Sequence, residues 1–491
     1  MKNFKKILAL LLTVIFIASM LVACGDNGGG TDDPESTGKQ GQIEAGNDDD
    51  PKIDAVDYDG YEFTFLTQES NDYGYKVRYI VSQGEEGNLF DDAIAKRNAV
   101  LEEKYNITIV QYDAKDVISE VRTQVMGGAL SFDVVLANSI TMSTLAKEGY
   151  LYNLLDIDRF DMDKSYWDKS ASTDLKIGGK LYFTNCALNT HSIGTAVYFN
   201  KKLIQDFQLT SPYEYIKNNQ WTLDNWAGLV KSISRDVNND GAMTELDMYG
   251  QIGTHSCTVP FLYASGIRFT KNDETGYPKV AFVDNSDKLV SVYEKLKDVF
   301  SNQNINYCIT CSTVGDNGYA HKWEYIRHLF TQDLYLFDYT SDDVLTIYKD
   351  MESEFGIIPF PKYDSKQDTY LTYYPTDFNL FALPAIVKDI NRTGNIVEDM
   401  NYYSSIIVEP VWFDTLLTRR YTRDDESEAT LRDIKENRIY DIGLYYDFGD
   451  FKTKVLFEKI DNINIMREYQ RYSKAIEASI RGTFKDFTSK Q

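Results

Sequence analysis

"LFDDAIAKRNAVLEEKYNITIVQY", residues 89 to 112, changes its period part-way through, from helical to strand-like. Leu89, Ala93, Ile94, Val100 and Leu101 recur at near-helical spacing, and from Ile107 to Val110 the chain turns to an apolar, β-branched run. Just upstream, "YEFTFLTQ" (61–68) alternates apolar and polar residues as a strand does. Strand, helix, strand is the unit of a parallel sheet. Downstream, "DVISEVRTQVMGG" (116–128) reads as a second helix closed by a glycine pair, and "SFDVVLANS" (131–139) as an apolar strand that stops at small polar residues. In open α/β sheets ligands bind beyond the carboxyl ends of the strands, which makes Asn138 and Ser139 candidate ligand-binding residues.

The start of the chain has another character. Lys2, Lys5 and Lys6 precede an apolar run from Ile7 to Met20. The run is shorter than the roughly 20 residues a spanning helix needs, and it fits a secretory signal peptide. Leu21-Val22-Ala23-Cys24 resembles a bacterial lipobox, so cleavage after residue 23 and lipidation of Cys24 are expected. Acyl chains on Cys24 would hold the protein on the extracellular face of the cytoplasmic membrane without crossing it. The stretch 24–57 holds too little apolar surface to offset the entropy of ordering, and reads as a flexible tether with a reach of about 30 Å.

From Tyr58 onward the composition is globular, and roughly 430 residues are too many for one simple core, so two lobes of ordinary domain size are expected. The net charge of −24, more negative still once the leader lysines are removed, would repel nucleic acid and anionic polymers. A neutral or cationic partner is favoured. Besides Cys24 there are Cys186, Cys257, Cys308 and Cys311. No second pair or histidine cluster at ligand spacing accompanies the Cys308–Cys311 spacing, so a local disulfide or free thiols fit better than zinc.

"DVNNDGAMTELD" (236–247) carries a calcium-loop spacing, with Asp236, Asn238, Asp240 and Asp247 at the first, third, fifth and twelfth positions and Gly241 at the sixth. The expected ligands of a structural Ca²⁺ are these four side chains and the Ala242 carbonyl. Upstream, "WTLDNWAGLVKSISRD" offers Thr222 as an N-cap and Trp226, Leu229, Val230 and Ile233 on one face, a helix that would run straight into the loop. Downstream, "MYGQIGT" is strand-like, so the second helix of a calcium sensor is missing.

Several stretches together resemble the extracellular solute-binding proteins of family 1, the lipid-anchored receptors of Gram-positive ABC sugar importers. They are "LVAC", "SFDVVLANSITMSTLAKEGYLYNLLDI", "GGKLYFTNCALNTHSIGTAVYFNKKLI", "WTLDNW", the loop leading into "LDMYG", "FGIIPFPKYD", "TGNIVEDMNYYSSIIVEPVWFDTLL" and "IKENRIYDIGLYYDFG". The family's loop places an acid nearer the glycine, where this chain has Met243 and Thr244. The resemblance implies a periplasmic-binding-protein-like type II fold, with two α/β lobes, a hinge and an inter-lobe ligand cleft. It implies a first lobe over 58–188 and 375–415, a second over 189–374 and 416–491, and delivery of the ligand to ABC transporter permease subunits. The chain would leave the first lobe through "LYFTNCALNTHSIGTAVYFN" and return through "LTYYPTDFNLFALP", both of which also read as extended and aromatic-rich.

Two other classes compete. A secreted glycoside hydrolase needs only two suitably spaced carboxylates, which 75 acidic residues make inevitable and therefore uninformative. The chain has no G-x-S-x-G elbow, no H-E-x-x-H and no phosphate-binding loop, and His191, His255, His321 and His328 show no ligand spacing. A calcium-stabilised adhesion module of dockerin type would carry the loop twice, and here it occurs once. The expectation is therefore a receptor and not an enzyme.

Sugars present apolar C–H faces and polar hydroxyl rims, so their sites need flat rings and acceptor-rich side chains. By position, Asn138 and Ser139, His191 and Tyr198 in the first crossing, Asp338 and Tyr339 after "LYLF", Tyr374, Asp377 and Phe378 in the return crossing, and Trp412 after "IIVEP" should converge on one cleft. Tyr374 or Trp412 would stack on the sugar, and Asp377 would accept hydrogen bonds from its hydroxyls.

Overall fold

The computed structural model describes residues 49–69, 80–85, 87–189, 193–413, 424–457, 460 and 464–489. The expected signal peptide, Cys24, most of the tether and His191 lie outside the described residues.

The first sheet forms where the change of period placed it. Strand β1 (Tyr61–Gln68) is followed by helix α1 (Leu89–Tyr105), strand β2 (Ile107–Ala114), helix α2 (Val117–Gly127), strand β3 (Val134–Asn138) and helix α3 (Ser139–Glu148). Each helix is started by a side chain that accepts orphan N–H groups: Asn88 from Phe90 and Asp91, Asp116 from Ser119, and Asn138 from Thr141. Each is ended by a residue in the left-handed conformation, Asn106, Gly128 or Gly149. β1 pairs in parallel with both β2 and β3. Phe63 to Leu66 are buried on both faces, as a strand covered by helices on either side must be.

The second sheet has the order β11-β4-β10-β6-β5, with β9 also on β6. Its strands are β4 (Thr195–Asn200), β5 (Ser234–Arg235), β6 (Met248–Gly253), β9 (Asn306–Cys308), β10 (Tyr335–Ser341) and β11 (Phe355–Ile358). A hairpin of β7 (Thr270–Asn272) and β8 (Pro278–Val280) stands apart from it. The helix Ser286–Phe300 buries Leu289, Val292, Tyr293, Leu296, Val299 and Phe300, one continuous stripe at helical spacing. At about 1.5 to 3 kcal/mol for each large apolar side chain, such a stripe holds the helix to its neighbours, the helices Leu223–Lys231 and Thr258–Ala264 among them, more firmly than propensity could. Below it the rings of Trp226, Phe261 and Phe360 interlock at centroid distances of 4.5 and 4.9 Å. Gly250 lets β6 approach the helix Leu223–Lys231 so closely that a Cβ there would lie 2.0 Å from the Val230 carbonyl oxygen.

One expectation fails here. The helix that begins after Thr222 stops at Lys231, and Ser234 and Arg235 then pair antiparallel with Tyr249 and Met248. The loop 236–247 therefore connects two strands and does not extend a helix. Ser234 and Arg235 are exposed edge residues, too short a run for an apolar period to reveal.

Three passages of chain run side by side between the sheets. Gly194, at φ +104°, leads into β4, and Thr195 Oγ1 donates to the Tyr373 carbonyl at 3.2 Å. β12 (Thr372–Tyr373) pairs in parallel with β14 (Arg438–Ile439). After β12 the chain enters β13 (Asn379–Ala382), which lies antiparallel on β3 and completes the first sheet in the order β13-β3-β1-β2. Helix α4 (Ile390–Tyr403) then packs across α1, and helix α5 (Asp425–Glu436) crosses to β11, where the Thr430 hydroxyl donates to the Ile357 carbonyl at 2.6 Å. The C-terminal helix Ile465–Ser489 sets Phe487 against Tyr182 and Phe484 against Tyr277, touching chain from before and after the first crossing. Cys308 and Cys311 form a disulfide at the end of β9, and Cys186 and Cys257 are free thiols.

Candidate ligand cleft

The wall contributed by the first sheet is built around the end of β3. Asn138 caps α3, accepting from Thr141 N at 3.0 Å, while its amide reaches Gln68 Oε1 at 3.5 Å. Ser139 is fully buried, and both its N–H and its hydroxyl donate to the Thr376 carbonyl, at 3.1 and 2.7 Å. That oxygen ties the strand end to the return crossing. Asn138, Ser139, Tyr374, Asp377 and Phe378 are therefore brought to one place. Asp377 is exposed and Phe378 half-buried. Tyr374 is enclosed edge-on by Phe378 at 5.3 Å and lies against Tyr440 at 4.9 Å, with the Arg438 guanidinium over its ring. A ring so covered offers no open face of its own.

Trp412 arrives by another route. Helix α4 continues through a π-helical stretch, Ser404–Val408, and delivers Glu409 and the half-buried Trp412 beside Phe90, in the first turn of α1. Wider helical turns of this kind are frequent where a helix is shaped to present side chains. Glu409 forms an ion pair with Lys435 of α5, and Lys435 and Arg432 face the ring of the neighbouring Phe413. The pair joins chain packed on the first sheet to chain packed on the second. An aromatic pair and an opposite-charge pair thus lie within a few residues of one another.

Tyr198, Asp338 and Tyr339 do not join this group. Asp338 and Tyr198 are register partners across β10 and β4, and all three residues are buried inside the second lobe. The Tyr198 hydroxyl donates to the Ser341 carbonyl at 3.3 Å. The Asp338 carboxylate accepts from the Tyr348 hydroxyl at 2.7 Å and faces Arg327 at 3.7 Å. The Tyr339 hydroxyl accepts from Trp226 Nε1 and donates to Gln251. Their polar ends serve the interior. Tyr198 was expected in the cleft as part of the first crossing, and Asp338 and Tyr339 as the residues after an apolar run, but helices cover both faces of this sheet.

The sequence reading missed the polar cluster that knits the crossings together. Asp168 Oδ2 accepts from the Tyr440 hydroxyl at 2.6 Å and from Arg438 at 2.7 Å, and Asn185 donates to the Tyr440 hydroxyl at 2.8 Å. Burial raises the Tyr374 and Tyr440 phenols, so both keep their protons. The period-two spacing of Arg438 and Tyr440 was the available signal, since it places both on one side of an extended segment.

The expected calcium residues form a compact turn. Gly241 has φ +85°, the sixth-position turn that such a loop requires. Asp236 accepts from Gly241 N at 2.8 Å and Asp240 N at 3.3 Å, Asn238 accepts from Asp240 N at 2.9 Å, and Asp240 accepts from Ala242 N at 2.8 Å. Asp247 is buried and accepts from Val237 N and Thr244 N at 2.8 and 2.7 Å. Among the described residues no group of three or more His, Cys, Asp or Glu side chains is already gathered around one point for a metal ion. No described helix is long and apolar enough to cross a membrane.

The family model described as bacterial extracellular solute-binding protein matches residues 82–306, from the loop before α1 to the start of β9. Over those residues, fewer than half of the chain, it is similar to that family. Several solved structures share the fold. The maltose/maltodextrin-binding domain MalE from Bdellovibrio bacteriovorus, bound to maltotriose, is 15% identical, covers 86% of this chain and 100% of its own, and has a TM-score of 0.51. UspC from M. tuberculosis is 14% identical over 85% of this chain and 100% of its own, with a TM-score of 0.53. A sugar transporter from Rhizobium etli, in an open conformation, is 14% identical over 86% and 99%, also with a TM-score of 0.53. At such identities the likeness speaks of fold, which is the type II arrangement of two α/β lobes about crossing segments. No curated protein matches the chain.

Proposed function

We propose that this solute-binding protein captures a sugar or oligosaccharide between its lobes and delivers it to an ABC transporter, held at the extracellular face of the membrane by acyl chains on Cys24. The observation that carries the reading is the pairing of Trp412 and Phe90 beside Glu409 and Lys435, with Asp377 exposed at the return crossing. Rings of this kind suit the C–H faces of a sugar, and charged side chains suit its hydroxyls. Catalysis is not part of the reading. Glu398, whose pKa burial pushes up to about 7, has the proton affinity of a general acid. It is nevertheless enclosed by donors from Tyr166, Trp167 and the Asp161 N–H, at 2.8, 3.1 and 3.1 Å. A thermal-shift screen across mono- and oligosaccharides, followed by chromatography of the mixtures, tests the reading. Saturable stabilisation without products is expected, and turnover of any sugar would replace the receptor with a hydrolase.

We propose further that Asp236, Asn238, Asp240, the Ala242 carbonyl and Asp247 take a structural Ca²⁺. The oxygen-rich spacing and the Gly241 turn support it. Binding would draw Asp236 and Asp247 from their backbone donors toward the ion.

A further inference from the structure

Beside the third crossing lies a cavity of about 310 Å³ between the short helix Lys169–Asp174, β7 and the segment after β14, whose lining includes neither Trp412 nor Asp377. Its acids are already engaged. Asp174 Oδ2 accepts from Arg268 at 2.7 Å and from Tyr440 N at 3.3 Å. Asp441 accepts from the N–H groups of Phe269, Thr270 and Gly443 and from the Thr270 hydroxyl, and burial raises its pKa. Of its donors, the Thr270 hydroxyl is spent on Asp441 and the Asn272 amide on the Lys176 carbonyl at 2.6 Å, but others are not engaged. Arg268 commits only one terminal nitrogen, to Asp174 and to the Tyr440 carbonyl at 3.2 Å, which leaves its other edge without a partner among the described residues. Lys271 and Thr173, both exposed, likewise have no described partner.

What remains is a guanidinium edge, an ammonium and a hydroxyl, all donors and two of them cationic, in a chain of net charge −24. Such a set complements a ligand made only of acceptors, because a planar guanidinium edge and a neighbouring ammonium match the oxygens of a small anion. We infer that this cavity is a second ligand site, separate from the sugar cleft, for a tetrahedral oxyanion such as inorganic phosphate or sulfate. The anion would sit beside the third crossing, since the Tyr440 main chain bonds Asp174 through its N–H and Arg268 through its carbonyl.

Calorimetric titration of the full chain with sodium phosphate and, separately, sodium sulfate, against sodium chloride at matched ionic strength, tests the site. Saturable binding of phosphate or sulfate is expected, unaltered in Asp377→Ala. Lys271→Gln should weaken it about tenfold or more, and Arg268→Gln should abolish it. Arg268→Gln also breaks the pair with Asp174, so its circular dichroism must match the parent; the exposed Lys271→Gln keeps the test decisive if it does not. Heats that do not saturate, or affinities equal in the parent and in Lys271→Gln, would overturn the site and leave a general electrolyte effect.

Discussion

The interior of the second lobe and the crossing segments beside it are built from the same residue types, and they differ in what their polar ends connect. In the lobe, Tyr198, Tyr339 and Asp338 bond to Ser341, Gln251, Trp226 and Tyr348, all within one sheet and its covering helices. In the crossings, Tyr440, Arg438 and Asp168 bond to one another and to Asn185, joining stretches of chain more than 200 residues apart. A buried tyrosine in the first setting fixes one body. In the second it fixes the relation between two. Loss of an interior group should therefore appear in the melt, and loss of a cleft group in the response to ligand.

The largest effect is expected in the interior. Trp226→Ala removes a ring packed at 4.5 Å on Phe261 and the donor to Tyr339, and should cost about 3 to 5 kcal/mol of stability. Denaturant unfolding measures it. A loss below about 1 kcal/mol would mean that this core is far looser than its packing.

Glu398 extends the comparison to the first lobe. Its folded pKa of about 7 lies above the ordinary 4.5, because burial disfavours the charge more than its three donors favour it. The folded state therefore holds the proton more tightly than the unfolded one. The stability from this group is fully present below about pH 4.5 and is lost as pH rises through 7, on the order of 3 kcal/mol in all. Unfolding followed from pH 5 to 8 should show this decline, and Glu398→Gln should flatten it without altering sugar affinity. An unchanged profile in the variant would assign the dependence elsewhere.

On the other side of the comparison, Asp377→Ala and Trp412→Ala should weaken sugar binding, Asp377→Ala by roughly 10- to 150-fold, and leave circular dichroism intact. Unchanged affinity in both would move the cleft away from the return crossing.

The smallest effect belongs to the loop 236–247. Extracellular sites with dissociation constants near 10⁻⁴ M are common, and tenfold excess calcium over such a constant adds about 1.4 kcal/mol. Chelation should lower the melting temperature slightly and leave sugar affinity nearly constant. A melt indifferent to chelator would remove the ion.

How much of this was legible depended on the range of the interactions. The elements β1 to α3 follow from local period and caps, so "LFDDAIAKRNAVLEEKYNITIVQY" and the glycine pair at 127–128 reveal them directly. The return crossing was legible as an extended, aromatic stretch, whereas its tie to the buried Ser139 through the Thr376 carbonyl was not. Tyr198, Asp338 and Tyr339 misled because a place in a crossing segment, or after an apolar run, does not say which side chains the covering helices bury. Arg438 and Asp168 stayed hidden for a different reason. Their pairing is set by where α5 and the helix Lys169–Asp174 deposit them, and no local pattern records a partner so distant in sequence.

Capture as proposed requires the lobes to close on a sugar about the three crossings. Small-angle X-ray scattering of the purified protein, with and without a saturating concentration of the best oligosaccharide from the screen, tests it most directly. The radius of gyration should fall when the sugar binds, by an amount that Asp377→Ala shifts to higher sugar concentration. A bound sugar that leaves the scattering curve unchanged would contradict capture between the lobes.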